Sequence, residues 1–187
     1  MPPTWPGVII EALHPDSPAG DVMTTIDRAV VTRQVYFHDP EAPPATVVVP
    51  SVFVAARWLG GRLLLVRRCD SGTWEPPGGR VDIGETAVDA AVRETAEEAG
   101  VRVLVTGFAG LFSDPGHVVR SPDGEVRQQF AVLFRARALG GIPHGDLHET
   151  SEAAWVAPMD LPGLPTELAA RLWIEQALSV GDPPYLG

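Results

Sequence analysis

The run from Gly78 to Val101, GGRVDIGETAVDAAVRETAEEAGV, sets a glycine pair and a loop directly ahead of an amphipathic helix carrying three crowded glutamates, Glu94, Glu97 and Glu98. At about 100° per residue, Val88, Ala91, Val92, Thr95 and Ala99 gather on one side, which predicts a buried face. The glutamates fall together on the flank beside it, because positions three and four apart are neighbours on a helix. Like charges at that spacing repel by roughly 0.2–0.5 kcal/mol per pair. Two of the three lie near the helix C-terminus, where the macrodipole adds a further penalty for anions.

A solvated acidic face is the plain reading of such a helix, and three features weigh against it. The preceding PPGG lets backbone approach the carboxylates closely. No lysine occurs from Pro76 to Val101, and Arg80 and Arg93 do not balance the acids. Hard cations such as Mg²⁺ are held by carboxylates, carbonyls and water, often shared with a phosphate, so a bound cation would turn the repulsion into a binding site.

The rest of the chain bounds the answer. At 187 residues and 45% apolar composition it can form one domain with a real core and an added segment. The formal net charge of -10, with 14 Lys and Arg against 24 Asp and Glu, argues against a chain that holds polymeric nucleic acid. An anionic ligand would need a metal ion or a few placed arginines. The single cysteine, Cys69, cannot form an intramolecular disulfide and reads as a small buried residue beside a strand. The N-terminus has no basic segment followed by a sustained apolar one, and Pro50 and Ser51 break the longest apolar run. Neither export nor a membrane span is expected, and the cytoplasm is the default.

Composition changes near residue 46. Residues 1–46 are punctuated by prolines and read as an N-terminal extension with one plausible ordered stretch, TTIDRAVVTRQVYF. It could lie across the domain, pair with a second subunit, or be loosely ordered. Residues 47–187 read as the compact unit. TVVVPSVFVAARW and RLLLVRR predict a hairpin turning at Leu59-Gly60-Gly61. VRVLVTGFAGLF, RQQFAVLFRARAL and EAAWVAP predict three more strands. Helices are expected at about 86–99 and 166–180, the second capped by Thr166. The expected class is α/β, a sheet sandwiched between helices. Of the five tryptophans, Trp5, Trp58, Trp74, Trp155 and Trp173, most are expected in the core or an interface.

Gly79, five residues, Glu85, seven residues, then RETAEEAGV resembles the Nudix box in register at Gly79, Glu85, Arg93, Glu94, Glu97, Glu98, Gly100 and Val101. Thr95 departs from the usual aliphatic residue, and Pro76 stands where relatives often carry Leu. The resemblance covers about residues 47–160. It implies an α/β/α sandwich with a mixed β-sheet, and a metal-dependent hydrolase, MutT-like or ADP-ribose pyrophosphatase-like, that cuts a nucleoside diphosphate linked to another group. It further implies Mg²⁺ or Mn²⁺ held by Glu94, Glu97, Glu98 and the carbonyl of Gly78, with Arg93 orienting the glutamates and Glu85 buttressing the box. Partners implied are a small-molecule nucleotide and, by analogy alone, a second copy in a homodimer.

Glu149, in the loop before the late strand, is the expected extra metal ligand or base, with Glu152 as competitor. Arg68 could reach a phosphate. His117 could line the site, although a lone histidine in a Gly and Pro turn reads more simply as exposed. Pro115 resembles ADP-ribose-cleaving members and Trp155 resembles nucleoside-triphosphate-cleaving ones, so these hints conflict. Two alternatives stay open: a domain that senses a nucleotide without cutting it, which an eroded box would favour, and an isopentenyl diphosphate isomerase, which would call on Cys69.

Overall fold

In a computed structural model, residues 32–179 and 181–187 are described. Trp5 and most of the N-terminal extension lie outside them. The central strand β2 (Val47–Arg57) alternates its side chains between two layers, as strand geometry requires. Phe53 and Ala55 pack with Leu63, Leu65, Leu133 and Trp173 into one core. Val52, Val54 and Ala56 pack with Leu64, Val66, Ala90 and Ala91 into another. The helix α1 (Ala87–Ala99) supplies the second core and α2 (Leu168–Leu178) the first. The sheet therefore lies between two helices, as the α/β/α reading expects.

The sheet is mixed. β2 runs parallel to β8 (Val126–Gly141) over its whole length, while β6 (Val101–Phe112) and β7 (His117–Arg120) pair antiparallel with β8. β3 (Leu63–Arg68) meets β2 at Arg57 and Leu63, across a 3₁₀ turn at Leu59–Gly61 where Gly60 has φ 74°. It pairs more extensively with β9 (Thr150–Val156), and also with β4 (Trp74–Glu75). β5 (Gly78–Arg80) adds to β2, and β10 (Tyr185–Leu186) runs parallel to β6. β1 (Gln34–Phe37), inside the proline-rich extension, pairs antiparallel with β7.

α1 begins where its sequence dictates. Thr86 Oγ1 accepts the N–H of Asp89 and the Asp89 carboxylate accepts the N–H of Thr86, a reciprocal capping box. Gly100 ends the helix in the left-handed region at φ 66°. α2 differs from expectation at its start. Its N-cap is Glu167, without a side-chain cap bond, while the Thr166 hydroxyl accepts from Arg171.

Three burial expectations are also corrected. Val88 and Val92 are exposed, and the buried face of α1 is made by Ala90, Ala91, Thr95, Glu98 and Ala99. The face is turned toward the glutamates because small alanines let the helix lie close to the sheet on that side, where Gly78 satisfies Glu98. Cys69 is exposed, since it follows the end of β3 and lies in the turn that leads to β4. His117 is buried, because β7 carries it under Trp173 and Phe37. Trp74 and Trp173 are core residues, whereas the half-exposed Trp58 stacks on Trp155 at the surface.

Candidate active site

The loop after β4 brings the glycine pair against α1. Glu98 is 3% exposed, and its Oε2 accepts the N–H of Gly78 at 2.8 Å. Burial, together with nearby Glu75 and Glu94, pushes the Glu98 carboxyl well above the usual range. Glu94, one turn away, is also raised by burial, with Glu149 and Glu97 adding to the push and Arg93 opposing it. A Cβ on Gly79 would push the Glu94 carboxylate aside, whereas one on Gly78 would overlap the backbone of Val52 and Phe53, so Gly78 is the position that requires glycine.

Arg93 organises the segment. It makes a two-point pair with Glu85 at 2.6 and 3.1 Å, donates to the carbonyl of Arg80 at 3.1 Å, and reaches Glu94 at 2.9 Å and Glu97 at 3.2 Å. Glu85 thus engages Arg93 from the loop. The three glutamates do not share one flank: Glu98 faces inward, Glu94 borders the cleft, and the Glu97 side chain is 60% exposed beside Arg93.

The cleft has a volume of ≈ 470 Å³. Its lining includes the acids Glu75, Glu94 and Glu149 and the Gly78–Gly79 backbone. The same lining carries Arg33, Arg127, His117, Gln129, Phe53 and Trp173. Arg68 lines it too, fixed by Asp70 at 2.9 and 3.0 Å and Glu75 at 3.1 Å, with N–H groups left over for a ligand oxygen. Glu149 borders the cleft, whereas Glu152 lies exposed on β9 outside its lining. The Glu149 loop is built by Asp146, whose Oδ1 accepts the N–H groups of His148, Glu149 and Thr150. The Thr150 hydroxyl in turn donates to the carbonyl of Glu98 at 2.8 Å. Asp114 faces away from this lining, paired with His38 at 2.7 Å.

Glu75, Asp146 and Thr150 escaped the sequence reading. A Glu beside Trp74 and an Asp-x-x-x-Thr loop are weak local signals, and their partners come from distant elements.

In chemical kind the site fits a hard divalent cation: the carboxylates of buried Glu98 and half-buried Glu94 crowd one another beside a glycine backbone. Among the described residues no three acids converge closely enough to form a finished cage. No described helix is long and apolar enough to cross a membrane.

Known proteins resemble this chain in sequence and fold. The NUDIX domain family profile matches residues 43–176. A MutT-like protein of Streptomyces ambofaciens is 33% identical over 128 residues, covering 66% of this chain and 74% of the relative. An ADP-ribose pyrophosphatase of Methanocaldococcus jannaschii is 34% identical over 107 residues, covering 55% of this chain and 59% of that protein. Among solved structures, a NUDIX hydrolase from Nitrosomonas europaea superposes with a TM-score of 0.62 at 24% identity, covering 75% of this chain and 77% of the other, a likeness of fold.

Proposed function

This chain belongs to the NUDIX family, and we propose that it is a metal-dependent pyrophosphohydrolase acting on a small nucleotide, a nucleoside diphosphate joined to another group. The observation that carries this reading is the placement of half-buried Glu94 and buried Glu98 against the Gly78–Gly79 backbone, beside a cleft lined by both carboxylates and guanidiniums. The named relatives, a MutT-like protein and an ADP-ribose pyrophosphatase, support the reaction class.

Glu94, Glu97, Glu98 and the carbonyl of Gly78 are the residues that would hold Mg²⁺ or Mn²⁺, which would offset diphosphate charge and lower the pKa of bound water. Arg93 holds Glu94 and Glu97 in register from one side, and Glu85 holds Arg93. Arg68, fixed by Asp70 and Glu75, donates to a diphosphate oxygen. Glu149, on the cleft beside Glu94, accepts the proton of the attacking water. Water oxygen bonds to one phosphorus as the bridging P–O bond breaks, and the products leave as two phosphate-bearing fragments.

Hydrolysis in isotopically labelled water, followed by phosphorus NMR of both products, tests the reaction. The label is expected in one product phosphoryl group, and Glu149→Gln slows turnover more than Glu152→Gln. Equal turnover in those two variants and the unsubstituted protein would remove Glu149 from the mechanism.

A further inference from the structure

The cleft lining carries guanidinium charge that the hydrolytic chemistry does not use. Arg127 on β8 is enclosed, its side chain 13% exposed, with Arg33, Arg68 and Arg80 around it. The other three guanidiniums each have a carboxylate: Arg33 pairs with Glu167 at 3.2 Å, Arg68 with Asp70 and Glu75, and Arg80 with Glu125. Arg127 has no carboxylate at hydrogen-bond distance among the described residues. Its closest, Glu125 at 3.6 Å, is already engaged by Arg80, and its own bonds go to Ser121 Oγ at 2.7 Å and Gln129 Oε1 at 3.4 Å. Two guanidiniums therefore share one carboxylate, which leaves the half-enclosed Arg127 guanidinium without a close ionic partner of its own among the described residues. An enclosed guanidinium without its own carboxylate is costly unless an anion meets it.

Two neutral groups point to the same ligand. His117 and Gln129 are 5% and 4% exposed and line the cleft beside Arg127. Among the described residues the ring nitrogens of His117 and the amide nitrogen of Gln129 have no hydrogen-bond partner, yet no fully enclosed side-chain polar atom is left unsatisfied. The unpaired nitrogens therefore reach the cleft space. Donors that are nearly buried, without a partner among the described residues and set beside a guanidinium that lacks its own carboxylate fit the oxygens of a bound anion.

We propose that Arg127, with Gln129 and His117, forms a phosphoryl-binding subsite that reads a phosphate on the substrate additional to the two joined by the scissile bond. The inference rests on the pyrophosphohydrolase reading and refines its substrate class. A third phosphate in a nucleoside triphosphate, or a phosphate on the ribose of a diphosphate-linked nucleotide, would satisfy Arg127 with a planar two-point contact. A nucleotide whose second moiety is a neutral sugar offers only hydroxyls and leaves the guanidinium charge unmatched, which disfavours it.

The test compares kcat and KM for a nucleoside triphosphate, ADP-ribose, and ADP-ribose carrying a 2′-phosphate, using the full chain and Arg127→Gln. Gln129→Glu, nearly isosteric and able to pair with Arg127, serves as a second variant should the first fail to fold. The unsubstituted protein is expected to prefer one phosphate-rich substrate over ADP-ribose, and which one identifies the phosphate that is read. In either variant that preference should fall by roughly 10- to 100-fold, mainly through KM. Calorimetry with inorganic triphosphate in EDTA gives a readout apart from turnover, with affinity expected to fall in the variants. Absence of hydrolysis together with variant-sensitive triphosphate binding would refute the enzymatic reading and leave the subsite standing. A preference for ADP-ribose, an equal loss on all substrates, or triphosphate binding that is undetectable or equal in all three proteins overturns the subsite.

Discussion

The buried carboxylate of Glu98 on α1 accepts the backbone N–H of Gly78 at 2.8 Å, tying the glycine loop to the helix it precedes. The same side chain thus fixes Gly78, which lines the cleft. Glu98→Gln retains an acceptor for that N–H, so unfolding free energy should fall by less than about 2 kcal/mol. Turnover should fall by about 100-fold or more, because the amide cannot serve as an anionic ligand. Chemical denaturation and steady-state kinetics on the same preparation separate the two effects.

Gly79→Ala tests the close approach of loop and helix. The added Cβ meets the Glu94 carboxylate, so either the loop or the carboxylate must move. A loss of no more than about 1 kcal/mol in stability is expected, because the carboxylate end can swing aside, with a drop in turnover that added metal does not restore.

Thr95→Val tests the departure from the usual box. The Thr95 hydroxyl donates to the carbonyl of Ala91 at 2.7 Å, within the same helical turn. That carbonyl already has the helical N–H, so deleting the hydroxyl strands no polar group. Stability should change by less than about 1 kcal/mol and turnover should not change, as denaturation and kinetics would show.

His117 makes stability pH-dependent. Burial, followed by the charge of Arg33 and with Asp114 opposing, pushes it from the ordinary 6.5 to about 4. Its folded value lies below its unfolded one, so the unfolded chain binds the extra proton between those values. Stability is complete above 6.5 and declines as pH falls toward about 4, by roughly 3 kcal/mol in all. Replacement by Phe should flatten that part of the profile in denaturation measured across the range.

Local chemistry made much of this fold legible in the sequence. Thr86, Asp89 and Gly100 bound α1 through contacts with near neighbours, and the strands of β2, β3, β6, β8 and β9 announce themselves by apolar runs. The helix face was misread because hydropathy assigns Val88 and Val92 to the interior and Glu98 to the surface. Glu98 can be buried only because Gly78, twenty residues earlier in the chain, supplies an N–H. His117 and Arg127 depended on the same kind of distant information. Phe37, Trp173 and Arg80 come from separate parts of the chain, and no periodicity in one segment predicts their meeting.

The most direct test of the pyrophosphohydrolase account is a product assay on the purified chain with ADP-ribose, nucleotide sugars and nucleoside triphosphates, run with Mg²⁺ or Mn²⁺ and again in EDTA. The account predicts that at least one substrate is cut at its pyrophosphate link, and that this turnover vanishes in EDTA and in Glu98→Gln. Turnover that persists undiminished in EDTA, or no cleavage of any of these substrates, would contradict it.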